Sequence, residues 1–393
     1  MWSLAGFTPL ATAACGCVTA SLPILDHSKP KVLVEKARQF SDAAFAAAGG
    51  ADANAKVDET LLQALHGSGL AMSPFPEAHG GAGLSAASKQ HELCTVLRLI
   101  GGGDLSWARL FEGHVNAVSL VCRYGTETQV RSLANAVAGG ALSAVWGADD
   151  AAGLKIVLVD GRVELNGCKI LASGAGMLTR PIVTAMATDG QVMCLLDLAD
   201  DAEVDLSGWA AQGMRSTATG AVQLTGIKIG NDERVGAAGD FMRQPHFSGG
   251  SWRFCAAHLG AMERLVDLFR EHLVSRKRAD DPYQLQRVAD CVAAVTTARF
   301  WIEEAARRLG AEEDDAASIV AFANMTRMVT ERAALDVMEA VQRGVGLMAF
   351  IRPSPIERIC RDLATYLRQP VPDLAMSDAS KAWLNSNTPV GEF

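Results

Sequence analysis

The sequence has no long uninterrupted hydrophobic run, no metal-type cysteine pairing and no excess of basic residues, and each shortage removes a class of protein. No stretch reaches the roughly 18 apolar residues of a membrane-spanning helix. The apolar opening from Met1 to Pro23 is interrupted by Gly and Thr and lacks the basic start of a secretory signal, so an extended N-terminal segment is expected there. The nine cysteines are Cys15, Cys17, Cys94, Cys122, Cys168, Cys194, Cys255, Cys291 and Cys360. Cys15-Gly-Cys17 is too tight for a zinc ribbon and has no second pair, so no metal site is expected. An odd, dispersed set reads as free thiols in a reducing compartment, with the cytoplasm as the default location. The 36 Lys and Arg against 44 Asp and Glu leave a formal charge of -8. Without a basic stripe, nucleic acid is set aside as a partner.

What remains is the composition of an ordinary globular protein, 49% hydrophobic and 20% charged over 393 residues, long enough for two or three domains. After an extension over 1–30, residues 31–138 read as helical. Val32, Leu33, Ala37, Phe40 and Ala44 recur at helical spacing, Leu61, Leu62, Leu65 and Leu70 suggest a second helix, and Gly49, Gly50 and Asp52 break the pattern between them. The two prolines and three glycines of Pro74-Phe-Pro-Glu-Ala-His-Gly-Gly-Ala-Gly83 exclude a regular helix. Residues 139–236 change character. Short β-branched or apolar runs at 156–159, 163–165, 182–186, 192–196 and 221–225 are separated by turn pairs such as Asp160-Gly161 and Asp189-Gly190, which predicts an antiparallel barrel or sandwich. Over 237–393 strand signals vanish, and long helices are expected at 252–275, 284–309, 314–344 and 355–367, an up-and-down bundle.

Local motifs sharpen this α+β order of helical domain, central β domain and four-helix bundle. Pro76-Glu-Ala-His-Gly-Gly-Ala-Gly-Leu-Ser85, Asn166-Gly-Cys-Lys-Ile-Leu-Ala-Ser-Gly174, Gly213-Met-Arg-Ser-Thr217, Val341-Gln-Arg-Gly-Val-Gly346 and Arg361-Asp362 follow one another along nearly the whole chain. In that order and spacing they resemble the signatures of the acyl-CoA dehydrogenase superfamily. The resemblance implies a flavin, FAD or alternatively FMN, between the β domain and the bundle. It implies that Trp146 stands where the family's Thr contacts the flavin, that Leu171 replaces the aromatic on the ring's outer face, and that Ser173 lies near its reactive nitrogen. Gln342, Gly344 and Gly346 would meet the dinucleotide, and Arg276 the adenine half. Read without the resemblance, Trp146 is equally a core tryptophan, Ser173 a turn residue, Gly344 a helix cap and Arg276 a solvated cation. A homodimer or homotetramer is the implied assembly.

One element of the family's chemistry is missing. Oxidation of an acyl-CoA needs a carboxylate that removes the α-proton while the flavin takes a hydride. The two positions where the family places that Glu correspond to Pro370 and Gly250. Three functions follow as expectations. The first is a flavin-dependent oxidoreductase acting on an acyl-CoA or related substrate, with a relocated base such as Asp373 or His114. The second is a monooxygenase on the same fold, using reduced flavin and oxygen, with electrons from a separate flavin reductase or electron-transfer partner. No His follows His272, so the C-terminal His usual in such monooxygenases is not evident. The third is a relative that keeps the fold without its chemistry. His79, His258, Asp149, Asp150 and Arg253 are further polar residues to locate.

Overall fold

The computed structural model describes residues 32–393 apart from 199–201, 312–314, 369, 388 and 393. The extension expected over 1–30 lies outside the described residues. The first helical segment comprises α1 (Val32–Asn54), α2 (Glu59–Gly67), α3 (Gln90–Gly103), α4 (Leu105–Tyr124) and α5 (Glu127–Ala138). Asp58 caps α2 and Asp104 caps α4 through backbone N–H groups of Thr60 and Ser106, while Thr126 and Gln129 form a reciprocal capping box on α5.

One sequence expectation is corrected here. The helix does not break at Gly49 and Gly50, but runs on to Asn54. Ala37, Phe40, Ala44, Ala48 and Asp52 keep one buried face in register. That packing offsets the roughly 1 kcal/mol that each interior glycine costs. Between α2 and α3 the Pro74–Gly83 segment forms a loop with a single short turn at Glu77–His79.

The β segment holds β1 (Val145–Trp146), β2 (Lys155–Val159), β3 (Arg162–Asn166), β4 (Cys168–Ala172), β5 (Ile182–Ala187), β6 (Gly190–Leu195), β7 (Val204–Asp205), β8 (Gly220–Gln223) and β9 (Arg234–Val235). One sheet runs β3-β2-β5-β6-β9 with β1 joined to β5, and a second runs β4-β8-β7. The β2–β3 hairpin turns on Asp160 and Gly161, both at positive φ (49° and 77°). Two such residues give the turn whose twist matches that of the flanking strands. Not all pairings are antiparallel: β5 is parallel to β1 and β2, with Val145 beside Ile182 and Lys155 beside Met186.

The last segment contains α6 (His246–Gly249), α7 (Trp252–Ser275), α8 (Pro282–Ala311), α9 (Ala316–Val345), α10 (Pro355–Tyr366) and α11 (Pro372–Asn385). α7, α8 and α9 pack on one another, and α11 lies along α9. α11 was not anticipated, because it buries only Ala375 and Ala379 and so carries little apolar periodicity. The bundle joins the first segment where α3 crosses α7. There a Cβ on Gly260 would lie 1.8 Å from the carbonyl oxygen of Arg98, and one on Gly101 2.2 Å from that of Ala257. Only glycine admits this separation. For the three segments we propose the limits 31–138, 139–236 and 237–393, since helices give way to strands between α5 and β1, and strands to helices between β9 and α6.

Candidate active site

A cavity of about 1130 Å³ opens between the Pro74–Lys89 loop, α4, the turn before α7, α9 and α11. That exceeds the usual few hundred to roughly 1,000 Å³ of a small-molecule site, so it has room for more than one reactant. Helix α4 presents Glu112, Asn116, Leu120 and Arg123 to it, residues spaced three or four apart that share one face. From the start of α7 come Ser251, Arg253 and Phe254, and from α9 Asn324 and Arg327. The wall is poorly satisfied: the side-chain polar atoms Ser85 Oγ, Gln90 Oε1, Tyr124 OH, Ser251 Oγ and Arg253 Nε are buried with no hydrogen-bond partner. Buried orphans of this kind cost about 1–3 kcal/mol each, and grouped around one cavity they fit a polar ligand that completes them.

Pro370 and Gly250 both line the cavity. The two residues that the resemblance puts at the positions of the catalytic carboxylate therefore line one cavity, and neither is an acid. Glu112 is the buried carboxylate on that wall. One oxygen takes the Arg109 guanidinium at 2.7 Å and the other the Asn116 amide, so it is already engaged. Glu77 and Asp378 sit at the exposed rim.

The relocated bases considered from sequence lie elsewhere. Asp373 is exposed in the first turn of α11 and does not line the cavity. His114 is fully buried between Phe75 and Phe111, on the side of α4 away from Glu112 and Asn116. Its Nε2 donates to the Ala71 carbonyl at 2.7 Å and its Nδ1 accepts from the Ser143 amide at 3.1 Å. Burial pushes its pKa down to about 4, so it is a neutral bridge with no nitrogen to spare. His258 is also buried, edge-on to Tyr366, with its pKa pushed down to about 3. His79 meets Glu127 at 3.4 Å. Asp149 pairs with the buried Lys169, whose ammonium also reaches Thr184 at 3.0 Å, and Asp150 closes the turn at Ala152 and Gly153.

The residues expected to meet a flavin fall into two groups. In the first, at the β-sheet edge, alternation along β1 turns Val145 to the cavity and buries Trp146. The Trp146 indole Nε1 donates to the Ser173 carbonyl at 3.0 Å, and the Ser173 hydroxyl accepts from Thr219 at 3.3 Å. Leu171, at a register shift in β4, has φ 53° and is 58% exposed. A leucine held at positive φ is strained, and here the strain presents an apolar side chain outward beside Ser173. In the second group, Gln342 is half-buried in the last turn of α9, Gly344 packs against Phe269 of α7, and Gly346 ends the helix at φ 80°. Arg276 caps α7 and is exposed. Glu112 and Asn116, which sequence reading passed over, carry no mark beyond their i, i+4 spacing. That spacing alone does not say which face of α4 looks into the cavity.

The acyl-CoA dehydrogenase N-terminal domain family matches residues 29–141 and the acyl-CoA dehydrogenase C-terminal domain family residues 242–367. The chain belongs to the acyl-CoA dehydrogenase superfamily. Dibenzothiophene monooxygenase of Rhodococcus erythropolis is 24% identical over 373 residues, covering 84% of this chain and 87% of the relative. The crystal structure of dibenzothiophene monooxygenase from Paenibacillus sp. A11-2 shares the fold at TM-score 0.80 and 20% identity, over 91% of this chain and 98% of that one. That enzyme has also been solved with FMN and indole. Butyryl-CoA dehydrogenase from Megasphaera elsdenii superposes at TM-score 0.78 and 18% identity, over 92% and 100% of the two chains. Among the described residues no helix is long and apolar enough to cross a membrane, and no group of three or more His, Cys, Asp or Glu could hold a metal ion.

Proposed function

We propose that this protein is a flavin-dependent monooxygenase built on the acyl-CoA dehydrogenase fold. The observation that carries the reading is the cavity wall at Pro370 and Gly250. Both residues line one cavity, the resemblance puts both where a dehydrogenase carries its base, and neither can accept a proton. The curated relatives that match over most of the chain are monooxygenases, which supports the same choice. The expectation of an acyl-thioester dehydrogenase with a relocated base gives way to it.

The orphaned polar atoms and the volume of the cavity fit a small substrate, and the flavin ring would lie beyond its Val145 wall, since Leu171, Ser173, Arg276, Gln342, Gly344 and Gly346 stand outside the cavity. Bound in its reduced form, a flavin supplies the electrons that let dioxygen deliver one oxygen atom to an organic molecule. Val145, Leu171 and Ser173 would hold the ring at the sheet edge, with Trp146 acting as a positioning residue that fixes the Ser173 backbone. Gln342, Gly344, Gly346 and Arg276 would serve the remainder of the cofactor if it is FAD, and stand idle if it is FMN. A separate reductase would supply the reduced flavin. A second copy of the chain is proposed to cover the exposed apolar residues of α8 (Tyr283, Leu285, Val292, Phe300) and of the segment after α9 (Leu347, Met348, Phe350).

Chemically reduced FMN or FAD, mixed with the full chain, labelled dioxygen and indole, dibenzothiophene or benzenesulfinate, tests the reading. One labelled oxygen atom in the product is the expected result. Anaerobic bleaching of oxidised flavin by an acyl-CoA, with no labelled product from any compound, would return the dehydrogenase reading. Failure to bind either flavin in any redox state would leave a fold without this chemistry.

A further inference from the structure

Among the described buried arginines away from the cavity, each has an acidic side chain within ion-pair distance, and Arg361 has two. Arg361 grips Asp52 and Glu357, and Arg358 lies 3.6 Å from Asp362. On the cavity wall the pattern reverses. The half-buried Arg253 and Arg327 and the exposed Arg123 line it, and none has a carboxylate at ion-pair distance. Arg123 meets His246 Nε2 at 2.8 Å, and Arg327 donates to the Pro370 carbonyl.

Arg253 is the most exposed to this deficit. Its Nη1 donates to Asn116 Oδ1 at 3.3 Å, its Nε has no partner, and its carbon centre lies 5.5 Å from the Trp252 ring centroid. The acid nearest in influence, Glu112, is committed to Arg109 and Asn116. Burial first, and the neighbouring Arg123 charge as well, push the Arg253 guanidinium down to about 10. A half-buried cation whose Nε is cut off from water and which has no counter-charge is costly. Its planar fork is suited to carboxylate, sulfonate or phosphate oxygens. The same lining carries three phenylalanines, Phe241, Phe247 and Phe254.

We propose that Arg253, with Arg123 beside it, is an anion subsite, and that the substrate is a small organic acid whose apolar body lies among these phenylalanines. The assignment to substrate rests on the oxygenase reading; the anion subsite itself does not. Because a flavin phosphate has the same chemistry, the test separates the two sources.

Isothermal titration calorimetry of the full chain with benzoate and benzenesulfonate, and with benzyl alcohol as the uncharged counterpart, measures the preference directly. Both acids are expected to bind more tightly than the alcohol. Arg253→Met is expected to weaken the acids by roughly tenfold or more while leaving the alcohol unchanged, with Arg253→Lys between. Added sulfate should compete with benzoate and not with benzyl alcohol in the unaltered protein, a readout that stands if the Met variant does not fold. Equal binding of acid and alcohol, no binding of either acid at millimolar concentration, or acid binding that survives in a folded Arg253→Met chain would each overturn the proposal. Loss of FMN but not riboflavin binding in Arg253→Met would give the subsite to the cofactor and overturn its assignment to substrate. Anion binding without any oxygen transfer would instead fail the oxygenase reading and leave the subsite in place.

Discussion

His114 shows how a residue of catalytic type is spent on structure. Both ring nitrogens are hydrogen-bonded to backbone groups, of Ala71 on one side and Ser143 on the other, so the imidazole ties α4 to the loop after α2 and to the entry of β1. His114→Ala would strand a buried carbonyl and a buried amide, each costing about 1–3 kcal/mol. Urea unfolding is therefore expected to show a loss of about 3 kcal/mol, with the pH profile of any flavin-dependent turnover unmoved. A variant of full stability with a shifted pH profile would make His114 a participant in the chemistry. Glu112 is the contrasting case. It faces the cavity, yet Arg109 and Asn116 occupy its oxygens.

Among the elements, the α3–α7 crossing and α4 make opposite predictions for the same substitution. At Gly260 an added methyl would meet the Arg98 carbonyl at 1.8 Å, and separating two packed helices costs about 1–3 kcal/mol or more. At Gly113, in the middle of α4, a Cβ would find nothing within 4 Å. There alanine gains the roughly 0.5–1 kcal/mol by which it exceeds glycine in a helix. Thermal unfolding of Gly260→Ala and Gly113→Ala should move the midpoint down and up respectively. A shift of both in one direction would contradict the described packing.

For the whole molecule, α10 is the joint. Arg361 reaches Asp52 of α1 and the Gln212 carbonyl, while Asp362 accepts from the Met214 amide at 2.6 Å. All three segments of the fold therefore converge on this Arg-Asp pair. Burial, and then the nearby Asp104, push the Asp362 carboxyl up to about 7 from its ordinary 3.8. Between those values the folded protein keeps a proton that the unfolded chain has released. Stability contributed by this group accordingly falls as pH rises from 3.8 to about 7, and levels off above. Asp362→Asn keeps an oxygen for Met214 and removes the titration. Unfolding free energies measured from about pH 5 to pH 8 should fall less steeply with pH in the variant than in the unaltered chain. An identical slope in the two proteins would mean that Asp362 is ionised throughout.

Much of the architecture was legible because it is local. Ile156, Val163 and Val192 follow β spacing, Asp160-Gly161 encodes its own turn, and Trp252–Ser275 repeats its apolar residues every three or four positions. The absence of a carboxylate at Pro370 and Gly250 is a fact of sequence alone. What the tertiary structure decided is which side chains face one another. Packing carried α1 through Gly49-Gly50 against local preference. It turned Val145 rather than Trp146 to the cavity, committed both nitrogens of His114, left Asp373 outside, and set Arg253 and Asn116 from distant helices on one wall. These outcomes depend on contacts between residues far apart in the chain, and such contacts leave no periodicity or spacing in the sequence for local physics to read.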